Sequence, residues 1–379
     1  MNVRLFRPSV GEEELANIRA AFERSWIGLG PNVGEFETRW SEFIGCKSSI
    51  GLNSATAALH IALALFNFPE GKKVLVPALT FVSSATAALY NRLEPVFVDC
   101  NPATLGLDLE DLERKYTDDC VAIVPVHLAG HPVEMDRLME FARAKGLKVV
   151  EDCAHTAGGA FKGRKLGTWG DIGCFSFEEK KCMTTGDGGM LCSDDEELVH
   201  PARAMRWIGI DKDTWKRNAA YTDAKLNARH WYYEVALLGY KYNMNDLAAG
   251  IGLAQLQKLP TFNEQRLNAI KRYLDGMSGL RHITPLLPYD LSGESTYHVF
   301  GARCEQRDEL MIFLKERGIA TGLHYMPLTL HPLFSPWVTD VPQAMHVYDR
   351  IMTLPLFSAL TNEEVDYVVG ALHEFDANI

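Results

Sequence analysis

The chain has 379 residues, is 47% hydrophobic and carries a formal net charge of -11. That is ample material for a large core, and the length suggests two or three domains or one large α/β unit with a smaller appendage. The acidic balance, with no clustered stripe of Lys and Arg, argues against a nucleic-acid partner.

The start, "MNVRLFRPSVGEEELANI", lacks the apolar stretch of a signal peptide, and "AALHIALALF" (57–66) is too short to span a bilayer. A cytoplasmic protein with no membrane partner is expected. From about residue 50 to 200, short β-rich runs alternate with helical periodicity. The runs are "VLVPA" (74–78), "EPVFVD" (94–99), "VAIVPVH" (121–127) and "KVVEDC" (148–153); helices are expected from "SSATAALYN", "DLEDLERKY" and "VEMDRLMEFARAKG". Strand and helix in rotation imply crossover units and a mostly parallel sheet with helices on both faces. Ligands of such sheets sit beyond the carboxyl ends of the strands, where Asp99, His127 and Asp152 are expected to converge. After about 207 a polar, aromatic stretch predicts a long surface excursion reaching about 240. "DLAAGIGLAQLQKL" then predicts a closely packing small-residue helix ended by Pro260, and "NEQRLNAIKRYLDGM" a second helix leading into a separate C-terminal unit.

The eight cysteines include no C-x-x-C pair and lie mostly in apolar runs, which fits reduced, buried thiols. The histidines show no H-E-x-x-H spacing, and no metal is expected. Chemistry concentrates in "FSFEEKKCMTTGDGG" (175–189). A lysine becomes a nucleophile toward carbonyls when burial disfavours its ammonium. Lys180 follows two glutamates, whereas Lys181 stands five residues after Ser176 and just ahead of a glycine-rich turn; Cys182 is adjacent. The bland alternative is a hairpin turn carrying a surface lysine. In "GLNSATAALHIAL" (51–63), Ser54 and Thr56 lie at the amino end of an apolar helix, placed either to cap it or to meet an anion. Asp152 lies at the exit of a buried strand, where a carboxylate needs a partner. A protonated pyridine nitrogen is one such partner. An amine, an anion site and this carboxylate together meet the requirements of pyridoxal 5'-phosphate (PLP).

These stretches, with "VPALTFVSSATAAL", "VPVHLAGHPVEMD", "YKYNMNDLAAGIGLAQL" and "GIATGLHYMPLTLHPLF", resemble in order the DegT/DnrJ/EryC1/StrS sugar aminotransferases. The resemblance implies an α/β protein of PLP-dependent transferase fold type I. Its large domain (1–255, with an N-terminal arm and the excursion about 207–240) would hold a mostly parallel mixed sheet flanked by helices, and a smaller α/β C-terminal domain would span 256–379. Lys181 matches the Schiff-base lysine, and Lys180 matches no functional position. Ser176, Thr56 and the Ala57 amide match phosphate ligands; Asp152 matches the partner of the ring nitrogen. His155 matches a residue near the ring's phenolic oxygen, and Phe81 the aromatic side chain stacked on the ring. In relatives a neighbouring subunit supplies an Asn to the phosphate. Lys241 stands at that place here and Asn243 two residues on, so a homodimer with shared sites is implied and both residues are candidates. Trp26, His324 and Tyr325 match positions near the sugar, and Arg206 is a candidate for an anionic group on it.

The implied reaction moves an amino group from glutamate to a keto sugar, expected to be nucleotide-linked, with pyridoxamine 5'-phosphate as the intermediate cofactor form and surface polysaccharide or amino-sugar synthesis, lipopolysaccharide included, as the setting. Two alternatives stand beside it. One is amination of the 8-oxo form of 3-deoxy-octulosonate; the other is a PLP-binding regulatory protein without turnover, against which the intact Lys181, Asp152 and Ser176 speak.

Overall fold

The computed structural model describes residues 1–210 and 233–379. The predicted runs form β2 (Lys73–Pro77), β3 (Glu94–Val98), β4 (Cys120–Ile123) and β5 (Lys148–Asp152). They are joined by β1 (Ser48–Leu52), β8 (Ile172–Ser176) and β9 (Gly189–Ser193), while β6 (Ala160–Phe161) and β7 (Arg164–Lys165) make a separate ribbon. The main sheet has the order β1-β9-β8-β5-β4-β2-β3. All its pairings from β8 to β3 are parallel, and β9 runs against both of its neighbours. The sheet is therefore the mostly parallel, mixed one expected.

Its strands are apolar on both faces because helices cover both. Val74 and Val76 of β2 pack in one core, with α3 (Ala55–Ala64) and α4 (Ser83–Tyr90). Leu75, between them, packs in the other, with α2 (Pro31–Ile44) and α6 (Met135–Lys145), as the two-residue period of a strand requires. The remaining helices of this part are α1 (Glu12–Glu23), α5 (Leu109–Lys115) and α7 (Glu196–Met205).

Glu37 of α2 ties this layer to the sheet edge. It accepts the Gly51 amide (2.9 Å) and the Arg203 guanidinium (2.6 Å), and it pairs with the buried Arg206. Glu37→Ala removes the carboxylate facing a guanidinium 1% exposed. Breaking a buried pair from one side costs about 3 kcal/mol or more, so its denaturant midpoint is expected to fall well below the wild type's at unchanged slope.

One helix, α8 (Asp246–Gly276), stands where two were expected, with Pro260 inside it. Proline costs a helix interior about 3 kcal/mol, but here Leu256, Leu259 and Phe262 on either side are buried, and that packing carries the helix through. The domain division read at 255/256 falls within α8. Gly252 lets it approach α2, since a Cβ there would lie 2.8 Å from the Phe36 ring.

A three-stranded antiparallel sheet, β10 (Thr284–Pro285), β11 (Phe300–Arg303) and β12 (Ile351–Leu354), follows α8. Helices α9 (Arg307–Glu316), α10 (Pro342–Tyr348) and α11 (Asn362–Asp376) complete this part, and its own core includes the last turns of α8. The first residues of the chain pack here too: Val3 bridges to Ile319, and the Leu5 carbonyl accepts the Leu356 amide at 3.2 Å. Of the predicted excursion, residues 211–232 lie outside those described. Its flanks come together through bridges Ile210–Val235 and Trp207–Lys241.

Candidate active site

A cavity of about 360 Å³ opens at the carboxyl ends of β5 and β8, between the main sheet and the C-terminal part. The alternation in "FSF" builds its floor. Phe175 and Phe177 point into the core, their rings 5.0 and 4.9 Å from that of Trp40, so Ser176 between them faces the cavity. Asp152 pairs in register with Cys174 on β8, which places its carboxylate on the same rim. The chain leaves β8, carries Lys181 over the cavity, and returns as the antiparallel β9. The hairpin reading and the nucleophile reading of this stretch thus describe one loop.

Ser54 caps α3 by accepting the Ala57 amide at 3.1 Å, and the Thr56 hydroxyl lies 2.7 Å from that of Ser83. Together with Ser176 these hydroxyls form a polar pocket at the amino end of α3, where partial positive charge favours an anion. Gly189 makes this approach possible, because a Cβ there would lie 2.4 Å from the Ser54 backbone.

Asp152 is almost fully buried, accepts Ser84 Oγ (2.7 Å) and the Ala154 amide (3.1 Å), and its carboxyl is pushed up by burial. A buried carboxylate in that state fits a cationic ring nitrogen opposite it. Burial likewise lowers the Lys181 ammonium from its usual value, favouring the free amine. Lys180 is exposed and pairs loosely with Glu178 at 3.8 Å. Phe81 lines the cavity as a 54% exposed residue, its ring 5.8 Å from that of Tyr325 between centres. Cys182 is buried under the loop, and its thiol is pushed up by burial.

His155 Nδ1 accepts the Ala129 amide at 3.2 Å, so its proton sits on Nε2 and is donated to Tyr325 Oη at 3.1 Å. The Tyr325 hydroxyl proton is then free to serve a ligand. His324 Nδ1 is 2.7 Å from the Thr353 hydroxyl. Burial depresses His155 and His298 well below the ordinary imidazole range; burial, then Lys181 and Lys180, bring His324 down to about 4. All three are neutral at pH 7. Each would take up a proton more readily unfolded, near 6.5, than folded, so their contribution is complete above that pH and is lost as pH falls toward 4. The melting temperature is expected to drop between pH 7 and pH 5, and His324→Gln is expected to flatten that slope in a calorimetric pH series.

Several candidates lie elsewhere. The structure corrects the expectation for Arg206, which lines no part of this cavity: its guanidinium is bonded to Glu37 and to the Gly51 carbonyl (3.2 Å). Lys241 Nζ bonds Asn243 Oδ1 (2.7 Å) over the Trp207 ring, and Trp26 donates to the Leu29 carbonyl (3.0 Å); these three also stand off the cavity of their own chain. Nor do Asp99, His127 and Asp152 converge. Asp99 accepts the Gln343 and Ala344 amides (2.8 and 2.7 Å) at the start of α10. His127 donates Nε2–H to Glu151 (3.2 Å), which faces away from Asp152 on β5 and also accepts the Gly167, Trp169 and Gly170 amides at 2.7–2.8 Å. His127, Glu151 and Cys153 form the one group with metal-ligand spacing among the described residues, and these bonds occupy both Glu151 oxygens.

Sequence reasoning missed Ser84, Phe6 and His298. Ser84 was visible in "FVSSATAAL" only as a helical residue. Phe6 stacks on His298 at 5.6 Å between ring centres, a contact made by the chain start folding onto its C-terminal part, which no local pattern reports.

The sheet topology, the desolvated amine, the buried carboxylate and the hydroxyl-lined helix end together define the PLP-dependent aminotransferases of fold type I. Comparison with known proteins agrees. Over 97% of its length the chain is 35% identical to the spore coat polysaccharide biosynthesis protein SpsC of Bacillus subtilis, 95% of which is covered. It superposes on the aminotransferase TlmJ from Streptoalloteichus hindustanus with a TM-score of 0.92 and 31% identity, each chain covered in full. Against Spr1654 from Streptococcus pneumoniae the PLP form gives 0.90 at 29% identity and the PMP form 0.91 at 30%, with at least 99% of each chain covered in the PLP form.

The chain belongs to the DegT/DnrJ/EryC1/StrS aminotransferase family, whose model matches residues 8–373. It is a PLP-dependent sugar aminotransferase. No helix among the described residues is long and apolar enough to cross a membrane.

Proposed function

We propose that the protein transfers the amino group of glutamate to a nucleotide-linked keto sugar, in the synthesis of a surface polysaccharide or an amino-sugar product, and acts in the cytoplasm as a homodimer. The observation that carries the chemistry is the meeting of Lys181 and Asp152 across one cavity beside the hydroxyls of Thr56, Ser83 and Ser176. PLP, when bound, supplies the electron sink that makes a proton on the neighbouring substrate carbon removable.

The chain's own groups do the rest. Thr56 and Ser176 hold the phosphate end, while the Ala57 amide, also expected there, is engaged by the Ser54 cap. Asp152 keeps a positive charge on the ring nitrogen, and Phe81 covers one ring face. His155 fixes Tyr325 so that its hydroxyl meets a polar group of the ring or the sugar. Lys181 Nζ, whose free-amine form burial favours, would take the proton from the substrate carbon and hold it for return.

Sugar specificity is assigned to the rim, to His324 and Tyr325. Lys241 and Asn243, which stand off their own cavity, are assigned to the phosphate of the neighbouring subunit's cofactor. The support for a sugar acceptor is the likeness to SpsC, a spore coat polysaccharide biosynthesis protein. Purified yellow protein is expected to lose its colour on addition of glutamate and to regain it with the right keto sugar, in a screen spanning nucleotide-linked sugars and free sugar acids. Bleaching by no amino donor contradicts transamination. Recovery with free acids alone contradicts the nucleotide-linked substrate.

A further inference from the structure

Two lysines line the cavity, and only one is claimed by the cofactor. Once Lys181 is engaged, Lys180 is the cation that remains among the described lining residues, because His155, His298 and His324 are held neutral by burial. The other charged lining groups, Asp152, Glu178 and Asp187, are acidic and would repel a carboxylate. Lys180 and His324 line the same cavity. Its resting partner is Glu178, at 3.8 Å, with side chains 58% and 37% exposed. An exposed pair at that distance contributes little and is readily exchanged for an incoming anion.

We propose that Lys180 is a specificity-determining residue: it leaves Glu178 to pair with the side-chain carboxylate of a dicarboxylic amino donor seated with its amino group toward Lys181. The inference rests on the aminotransferase reading with glutamate as donor and assigns the feature that selects it. An ammonium on a flexible stem suits this task, since the site must release the same anion when the sugar enters. Glu178 serves as the counter-ion in its absence and keeps the rim from attracting anions unselectively.

The test uses the holoenzyme and follows loss of the visible cofactor absorption with L-glutamate, L-glutamine or L-alanine. The wild type is expected to prefer glutamate over glutamine, its neutral isostere. Lys180→Gln is expected to lower that preference about tenfold or more, the range of one charge-assisted hydrogen bond, Lys180→Glu further, and Lys180→Arg to restore most of it. Calorimetric titration with glutarate, a dicarboxylate with no amine to react, is expected to weaken in the same order. A Lys180→Gln enzyme that keeps the full glutamate preference overturns the proposal. So does a wild type that reacts with glutamine or alanine in preference to glutamate, a result that leaves transamination standing. A wild type that reacts with no donor overturns the aminotransferase reading itself.

Discussion

Lys181→Ala is expected to yield protein that folds, binds PLP without covalent attachment, and has lost its turnover by about 10⁴-fold or more, the upper range for a positioned acid-base group. The physical ground is the burial that lowers the Lys181 ammonium, combined with its position on the loop between Ser176 and Gly189. No neighbour can substitute. Lys180 is exposed and engaged with Glu178, so Lys180→Ala should retain the covalent link. Trapping attached cofactor and analysing both variants by intact mass distinguishes the two lysines directly. If Lys180→Ala rather than Lys181→Ala loses attachment, the assignment of the loop is reversed.

Asp152→Ala is expected to have the second largest effect, and of a different kind. The carboxylate is held by Ser84 and the Ala154 amide, and burial raises it more than these bonds and the nearby Lys181 lower it. Its removal should leave the cofactor-free fold as stable as before or more so, since the desolvation of this carboxylate outweighs the bonds that hold it. The loss should fall on the loaded enzyme: weaker PLP binding, and turnover reduced on the order of 10²–10³-fold, as when a preorganised charge partner is deleted elsewhere. Measuring melting temperature with and without PLP separates the two. A variant destabilised without cofactor, yet stabilised by PLP as much as the wild type is, contradicts the role given to Asp152.

The alternation of strands and helices from residue 73 to 152 was legible because the strands are short apolar runs and the segments between them keep a helical pattern, as α6 does with Met135, Leu138, Met139 and Ala142 buried on one face. Ser176 was legible through its spacing from Lys181 and the family resemblance, and the phenylalanines on either side of it, packed on Trp40, are what turn it to the cavity. Other features depend on packing between distant segments. Pro260 marks a helix end locally, but the helix runs on because the buried Leu256, Leu259 and Phe262 need a continuous surface. Arg206 carries the same charge whether it faces a ligand or Glu37, and only the fold places Glu37 against it. His298 and Phe6 meet at the cavity although they lie far apart in the sequence. Asp99 and His127 end strands on the same side of the sheet as Asp152, but strand ends do not fix where the side chains beyond them turn, and theirs turn to backbone amides and to Glu151.

The central claim is that Lys181 carries the cofactor in a buried environment that disfavours its ammonium. Reduction of the yellow holoenzyme with borohydride, followed by proteolysis and mass mapping, tests it most directly. A single pyridoxyl adduct on the peptide containing Lys181, localised to that residue by fragmentation, is the result predicted. An adduct on Lys180 or any other side chain, or none at all, would contradict it.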